Sequence, residues 1–293
     1  MPIADFRHRE PLRVRWAEID AQNIVFNAHY LMYVDVAMSG YWRALAFPYA
    51  ASMQALGGDL YVRKATVDYH RSARCDDRLL VGIRCSRIGT SSMLFHAEVL
   101  RGDERLVAVE LVYVFADPAT QTSRPVPARL RAIVEGFEAG QTMVDVTLGP
   151  WSEHQAEASA LRDDVFVAEQ GVPVELEHDD ADAQALHALA RNRLGAALAT
   201  GRLVRHAPGV SKIGRMAVVQ SMRGTGIGRA VLDALVGAAV ARGDNEVLLH
   251  AQVDAVDFYL RAGFVLHGER FTEAGIVHQA MVRPLVPIAP GAP

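Results

Sequence analysis

The sequence predicts an α+β protein of two units. The first is an antiparallel sheet wrapped around one long helix, and the second is an α/β unit with a mixed sheet. A length of 293 residues is typical of two domains. One long helical run precedes a series of strand-like runs, and helical and strand-like runs alternate later in the chain. We expect domains at 1–140 and 143–284, joined by a linker over 139–142, with a Pro-rich tail at 285–293.

The first unit begins with a short predicted strand, Pro11–Trp16, and then a long helical run, Asn27–Leu45, with a good cap residue at its start. Apolar residues occur most of the way round this run, which predicts a helix buried on nearly all sides. Turn residues then separate four strand-like runs ahead of a closing helix. These elements are Leu60–His70, Arg78–Arg87, Ser91–Leu100, Arg105–Phe115 and the helix Pro127–Phe137.

The second unit opens with a predicted strand, Val144–Leu148, and a long helix, Ser152–Gln170. An acidic loop, Val172–Asp182, follows the helix. The remaining predicted elements are the strands Gly195–Val204 and Lys212–Val219, a helix from Arg229 to Val240, the strand Val247–Ala251, the helix Ala255–Ala262 and two final strands.

Composition excludes several classes of function. The 30 basic and 34 acidic residues give a net charge of −4, so no basic face for nucleic acid is expected. Cys75 and Cys85 are the only cysteines, which fits a reducing compartment. No apolar run approaches the ~18–20 residues that span a bilayer, and the charged start does not suggest a signal peptide. We expect a cytoplasmic protein without a membrane or metal partner.

The segment from Trp16 to Tyr30 carries the first motif. It places Asp20 a few residues ahead of Ile24-Val25-Phe26 and the start of the long helix. This segment resembles the hot-dog-fold acyl-CoA thioesterases of the 4-hydroxybenzoyl-CoA type, and the resemblance extends over about residues 8–138. The family commonly has Gly where this chain has Asn23, and Asn tolerates the left-handed conformation better than most residues do.

The resemblance implies hydrolysis of acyl-CoA thioesters. Asp20 would attack the carbonyl or activate water, and the backbone N–H groups of Asn27 and Ala28 would stabilise the oxyanion. It also implies a homodimer, or a tetramer built from dimers, with the site at the subunit interface. His70, Arg71 and Ser91 or Ser92 would then contact CoA.

Each residue of this motif also has a structural interpretation. Asp20 alone would cap its own turn, although the surrounding motif favours catalysis. Glu18 is expected at the surface, and His29 is expected to pack or to bond a neighbouring N–H. Asp35 would face a dimer contact or bond a neighbour.

The second motif is a glycine loop, Arg223-Gly224-Thr225-Gly226-Ile227-Gly228, between the apolar run Met216–Val219 and a helical run. Glycines let the backbone approach a pyrophosphate closely, and the new helix directs free N–H groups and its positive end at the anion. A glycine loop alone is a weak signal, but about thirty residues later the chain reads Asp257-Phe258-Tyr259-Leu260-Arg261-Ala262-Gly263-Phe264.

Together these segments resemble the GNAT acetyltransferases over about residues 143–284. Phe166–Pro173 and Glu273–His278 are similar to the ElaA-type branch. The resemblance implies direct transfer of acetyl from acetyl-CoA to an amine, with Tyr259 protonating the departing thiolate. Main-chain groups of Met216, Val218 and Val219 would hold the pantetheine arm. Gln252 would line the cofactor cleft, whereas His250 is expected to be structural. The loop N–H groups from Arg223, Gly224, Thr225, Gly226, Ile227 and Gly228 would hold the pyrophosphate.

The base for the acceptor amine is left open among Glu177, Asp179, His187 and His278. The acidic stretch from Glu175 to Asp182 would attract a cationic amine, or it would simply be a solvated loop.

The sequence therefore predicts a bifunctional enzyme with one acyl-CoA site in each half. Two alternatives remain open for the first half: a dimerisation scaffold for the acetyltransferase, or a sensor that binds acyl-CoA without turnover.

Overall fold

The computed structural model describes residues 5–285, which form two compact units with the boundary after Met143. The first unit is an antiparallel sheet with one long helix, and the second is a mixed sheet with several helices. The predicted fold class is confirmed. The expected Pro-rich tail, apart from Leu285, lies outside the described residues.

The first unit has a five-stranded sheet in the order β1-β3-β4-β5-β2, and every neighbouring pair is antiparallel. Its strands are β1 (His8–Arg13), β2 (Asp59–Tyr69), β3 (Arg78–Ile88), β4 (Ser92–Arg101) and β5 (Glu104–Ala116). The first strand therefore begins three residues earlier than predicted, and Trp16–Glu18 forms a 3₁₀ turn instead of strand.

Helix α1 (His29–Ala44) packs on this sheet through one face that includes Tyr33, Val34 and Tyr41. The prediction of burial on nearly all sides is wrong for the single chain. Met32 and Val36 are 51% and 52% exposed, because the sheet covers only one side of the helix.

Two shorter helices complete the first unit. Helix α2 (Tyr49–Leu56) follows Pro48, ends at Gly57 in the left-handed conformation, and was not predicted. Eight residues give too little periodicity to distinguish a helix from a loop. Helix α3 (Ala128–Glu138) closes the unit as expected.

The second unit has a seven-stranded sheet in the order β11-β12-β10-β9-β8-β7-β6, in which only β9 and β10 are parallel neighbours. Its strands are β6 (Val144–Pro150), β7 (Leu186–Asn192), β8 (Ala197–Ala207), β9 (Val210–Val218), β10 (Glu246–Gln252), β11 (Val265–Glu273) and β12 (Ile276–Pro284). Strand β7 was missed, because its alanines favour helix and its burial on both faces removes the alternation of a half-exposed strand.

In the described part of the second unit, four α-helices accompany this sheet: α4 (Trp151–Arg162), α5 (Val174–Glu177), α6 (Ile227–Ala241) and α7 (Val256–Arg261). A π-helical turn over Asp163–Glu169 directly follows α4. The prediction of one continuous helix to Gln170 is wrong beyond Arg162, where the wider π turn begins. The expected acidic loop contains α5 and a 3₁₀ turn, Asp180–Gln184.

Strands β9 and β10 diverge about halfway along their length. They pair from Val210 and Glu246 as far as Ile213 and Leu249, and beyond that point β9 pairs only with β8. Within the unpaired stretch Arg215 has a φ of 52°. The sheet therefore opens into a cleft between the two parallel strands.

Candidate functional sites

In the first unit, Asp20 lies at the start of a tight loop. Its Oδ1 accepts a hydrogen bond of 2.8 Å from the N–H of Gln22, while its own N–H donates to the carbonyl of Ile24. Asn23 has a φ of 58°, so the expectation that Asn replaces Gly in a left-handed turn is confirmed. Oδ2 of Asp20 accepts no hydrogen bond from any residue in the described range.

Glu18 anchors this loop to helix α1. The expectation of a surface residue is wrong, since its side chain is buried and accepts hydrogen bonds from the Tyr33 hydroxyl at 2.7 Å and the Arg15 N–H at 2.8 Å. Burial alone would raise the pKa of Glu18, but the hydrogen bonds from Arg15 and Tyr33 lower it below its ordinary value. The carbonyl of Glu18 also accepts from the Phe26 N–H, so both ends of the loop are fixed.

A cavity of about 350 Å³, here called the first cavity, lies beside this loop. Its walls include Asp20, Asn27 and Tyr69, together with the sequence-predicted CoA contacts His70 and Arg71. Tyr69 was not singled out from the sequence; its hydroxyl donates to the carbonyl of Asn27 at 3.1 Å.

The start of α1 faces the first cavity with unpaired donors. Between 5 and 285, no residue accepts a hydrogen bond from the N–H groups of Asn27 and Ala28, although Ala28 itself is not part of the cavity wall. Ser91 and Ser92 are not in the wall either. Ser92 pairs with Val114 at the opposite end of the sheet from Tyr69, so within one chain it lies away from Asp20.

Two further residues of the motif are at the surface. Nδ1 of His29 lies 3.2 Å from Sδ of Met32 on the exposed side of α1, which agrees with a packing role. Asp35 is exposed on the same helix.

In the second unit, a cavity of about 580 Å³, here called the second cavity, occupies the cleft between β9 and β10. Met216, Gln252 and Tyr259 are in its wall. Gln252 donates to Oε1 of Gln170 at 2.8 Å, which links the end of β10 to the residue after the π turn.

Tyr259 is buried against two aromatic rings, with Phe258 and Phe264 in edge-on contact. Burial raises the pKa of Tyr259 well above its ordinary value. The phenol therefore stays protonated at neutral pH and is a weaker acid than an exposed tyrosine.

The glycine loop lies beyond the end of β9. Gly224 and Gly226 have φ values of 79° and 90°, and helix α6 begins directly after Gly226. Thr225 donates to the carbonyl of Met222, and Arg223 forms a two-pronged ion pair with Glu169 at 2.6 and 2.7 Å. The second cavity does not include the loop residues Arg223, Gly224, Thr225, Gly226, Ile227 and Gly228, nor Val218 and Val219.

Arginines pair with three carboxylates of the acidic stretch, Glu177, Asp179 and Asp182. Arg162, fully buried, bonds Glu177 and also contacts Asp182 at 3.0 Å. Arg202 bonds Asp179 and Asp182 at 2.6 Å each. Glu177 and Asp182 are buried, whereas Glu175, Asp179 and Asp180 are exposed, so the solvated-loop interpretation fits only part of the stretch.

Two of the four candidate bases are held in the same network. Glu177 and Asp179 are in the wall of the second cavity, but Arg215 contacts both carboxylates, at 3.1 and 2.9 Å. Burial raises the pKa of Glu177, and the hydrogen bond from Arg202 lowers that of Asp179. His187 is buried outside the cavity wall, with Nε2 at 3.0 Å from the Asp182 carbonyl.

Histidines line the other wall of the second cavity. His278, one of the predicted bases, lies there with Nδ1 bonded to the Ile276 carbonyl at 2.9 Å. His250, expected from the sequence to be structural, lies in this wall too. Its Nδ1 is 3.1 Å from Oε2 of Glu273 and 3.2 Å from Nζ of Lys212. Sequence reasoning missed both partners, which come from distant strands.

Residues 5–285 contain no cluster of three or more His, Cys, Asp or Glu side chains arranged to hold a metal ion. Within the same range, no helix has the length and apolar character needed to cross a membrane.

Comparisons with known proteins give one family for each unit. Residues 22–108 match the model of the thioesterase superfamily, and residues 155–285 match the model of the acetyltransferase (GNAT) domain. The chain is 36% identical over 135 residues to the uncharacterized N-acetyltransferase YjcF of Bacillus subtilis, covering 45% of this chain and 93% of that protein.

The first unit has curated relatives as well. The chain is 29% identical over 134 residues to the acyl-CoA thioester hydrolase YbgC of Escherichia coli O6:H1, covering 44% of this chain and 95% of that protein. Among solved structures, an acyl-CoA N-acyltransferase from Pseudomonas aeruginosa is 31% identical with a TM-score of 0.44, covering 48% of this chain and 99% of that one.

The fold and the two family matches define a fusion of a thioesterase-like hot-dog domain with an acetyltransferase domain. Through its second unit, the chain belongs to the GNAT acetyltransferase family.

Proposed function

We propose that the chain is a bifunctional enzyme that hydrolyses acyl-CoA thioesters in its first unit and transfers acetyl from acetyl-CoA to an amine in its second. One observation supports both halves of this proposal. In each unit, the predicted reactive side chain, Asp20 or Tyr259, lies in the wall of a cavity next to main-chain groups that the fold leaves unpaired.

In the first unit, Asp20 supplies the carboxylate and the start of α1 supplies the oxyanion donors. The bond from Gln22 fixes Oδ1, which leaves Oδ2 to attack the thioester carbonyl or to take a proton from water. The free N–H groups of Asn27 and Ala28, at the positive end of the helix, stabilise the negative oxygen that develops. His70 and Arg71 hold the CoA portion.

In the second unit, the cleft holds acetyl-CoA through the backbone. Main-chain groups of Met216 and Val218 bind the pantetheine arm along the edge of β9 that faces β10. Val219, also predicted to bind it, follows β9 and has its N–H bonded to Leu198 and its carbonyl bonded to Met222, so it would have to exchange these partners. The N–H groups from Arg223 to Gly228 bind the pyrophosphate at the start of α6. Tyr259 gives its proton to the CoA sulfur as the carbon–sulfur bond breaks, and an amine accepts the acetyl group.

The assembly we propose is a homodimer, or a tetramer of two dimers, formed through the first unit. Met32 and Val36 on α1 and Tyr61 and Val62 on the edge strand β2 are exposed apolar residues that a second copy would cover. The two free cysteines, Cys75 and Cys85, fit a cytoplasmic protein.

One observation favours a second candidate function. Oδ1 of Asp20 accepts the Gln22 N–H, which is also the role of a purely structural turn residue. In this alternative the chain is an acetyltransferase whose first unit dimerises or senses acyl-CoA without turnover.

Release of free CoA from a panel of acyl-CoAs, with and without added amines, tests the proposal. The variants are Asp20→Asn, which keeps the turn, Tyr259→Phe, and Asp68→Asn on β2 as the control. We expect release without amine to fall by about 10²–10⁴-fold in Asp20→Asn only. Amine-dependent release should fall in Tyr259→Phe only. Tight acyl-CoA binding without amine-independent release would support the scaffold or sensor instead.

A further inference from the structure

Three polar side chains from three different strands meet in the wall of the second cavity. His250 on β10 is 3.1 Å from Glu273 at the end of β11 and 3.2 Å from Lys212 on β9. Both contacts are to Nδ1 of the histidine ring. Across residues 5–285, no hydrogen bond reaches Nε2, so the other nitrogen of this ring is available to a molecule in the cavity.

The remaining acidic and basic groups of the cavity are less suited to accept a proton. Arg162, Arg202 and Arg215 pair with Glu177 and Asp179, so protonating either carboxylate would leave arginine charges uncompensated. His250 differs because Glu273 contacts Nδ1, and Nε2 has no hydrogen-bond partner among residues 5–285.

Resting on the proposed acetyl transfer, we propose that His250 is the general base that deprotonates the acceptor amine, and that Glu273 is the residue that positions it. In this arrangement Nδ1–H donates to Oε2 of Glu273, which leaves the lone pair on Nε2. The ammonium of Lys212 then makes no hydrogen bond to the ring and interacts with the negative charge of Glu273 instead. Phe271 packs edge-on against the imidazole with a centroid separation of 4.8 Å and restricts its rotation.

The groups around His250 keep it unprotonated at neutral pH. Burial lowers the pKa of His250, the positive charge of Lys212 and the nearby His278 lower it further, and Glu273 raises it, with a net value below the ordinary one. Burial likewise lowers the pKa of Lys212. A base that acts at neutral pH must be free of its proton before the substrate arrives, and this setting provides that condition.

The transfer step balances with two protein groups. The amine nitrogen forms a bond to the thioester carbonyl carbon, and the proton on that nitrogen moves to Nε2 of His250. The carbon–sulfur bond breaks, and the sulfur takes the proton of Tyr259. After product release, water carries the proton from His250 back to the Tyr259 oxygen, and both groups return to their starting states.

Kinetics of acetyl transfer from acetyl-CoA to a panel of primary amines (spermidine, lysine methyl ester and ethanolamine) tests the assignment. We expect His250→Gln to lower kcat by about 10²–10⁴-fold and to remove the rise of kcat with pH. Added imidazole should restore part of the rate in His250→Ala, which a merely structural histidine would not allow. His267→Gln, an exposed position on β11, is the matched control and should keep the wild-type rate.

Nuclear magnetic resonance of the histidine rings tests the positioning without turnover. The signal lost in His250→Gln identifies the ring, and nitrogen chemical shifts should show a proton on Nδ1. Glu273→Gln should lower the measured pKa of His250, since a negative neighbour is removed, and should leave the signal of His267 unchanged. A proton found on Nε2, with Lys212 donating to Nδ1, would overturn the assignment.

The outcomes separate this inference from the function on which it rests. If wild type acetylates an amine and His250→Gln keeps the full rate, only the base assignment is wrong. If His278→Gln rather than His250→Gln removes the pH-dependent rise, His278 is the base. If wild type binds acetyl-CoA and acetylates no amine in the panel, both the base assignment and the proposed transfer to these amines fail.

Discussion

The hydroxyl of Tyr33 on α1 donates a hydrogen bond of 2.7 Å to the buried carboxylate of Glu18. Glu18 lies two residues before Asp20, and its carbonyl accepts the N–H of Phe26 on the far side of the same loop. The contact therefore fixes the loop that carries the proposed carboxylate against the helix that carries the proposed oxyanion donors.

Tyr33→Phe should destabilise the first unit by about 1.5–3 kcal/mol, because it removes a donor to a buried charged group. The fall should be visible as a lower midpoint in denaturant unfolding. Thioester hydrolysis should fall as well, since the loop loses its anchor. Tyr113→Phe, at a half-buried ring on β5 whose hydroxyl has no hydrogen-bond partner among residues 5–285, serves as the control, and an equal effect of both changes would argue against the anchoring role.

Acidification should remove the stabilisation that Glu18 provides. The folded-state pKa of Glu18 is below its ordinary value, so its contribution is present above the unfolded pKa of about 4.3 and is lost as the pH falls through the folded pKa. The difference in unfolding free energy between wild type and Glu18→Gln should be constant from pH 7 to 6 and shrink below about pH 4. A difference that is independent of pH would contradict the ionised state.

Asn23→Ala should cost about 1–2 kcal/mol of unfolding free energy, because alanine lacks the local hydrogen bonding that helps asparagine occupy a φ of 58°. Asn23→Gly should be neutral or stabilising, since glycine adopts this conformation freely. Thermal unfolding of the pair measures the difference. Equal melting temperatures would mean that the turn adopts another conformation.

Arg162→Met should destabilise the second unit by about 3–5 kcal/mol, because it leaves Glu177 and Asp182 buried with one cationic partner fewer. Arg229→Met is the control: it breaks an exposed pair with Asp233 on α6 and should cost only about 0.3–0.5 kcal/mol. Denaturant unfolding of both variants measures the contrast, and a small loss for Arg162→Met would show that the acidic segment does not depend on this arginine.

Gly226→Ala should weaken acetyl-CoA binding, because residue 226 has a φ of 90° and alanine would distort the loop ahead of α6. Titration calorimetry with acetyl-CoA measures the loss, which we expect to be at least tenfold. Gly237→Ala, at an exposed position inside the same helix, should leave binding unchanged and stabilise the unit by about 0.5–1 kcal/mol. Unchanged affinity in Gly226→Ala would exclude the loop from the binding site.

Local chemistry made part of the fold predictable. The left-handed Asn23 and the start of α6 after a glycine loop both depend on neighbours in sequence. Helix α1 instead begins two residues after the predicted Asn27, at His29, with Ala28 at its cap and no side-chain cap bond. The fold class followed from the order of such elements. Strand β7 was not predictable in this way, because its alanine-rich segment is a strand only through pairing with β6 and β8.

The candidate sites were predictable to different degrees. Asp20 and Tyr259 belong to continuous motifs, and both line cavities. The cluster of His250, Glu273 and Lys212 joins three strands whose register no local pattern specifies. The burial of Glu18 depends on Tyr33, fifteen residues away, and was missed for the same reason.

The divergence of β9 and β10 beyond Ile213 and Leu249 affects which residues of this sequence can be substituted without loss of binding. A molecule that enters the gap meets peptide groups, which every amino acid carries alike. Side chains such as that of Met216 are therefore free to drift over evolutionary time without removing those contacts. The main-chain contacts of such a binding surface would be retained, although the amino acids that provide them would show little sequence conservation.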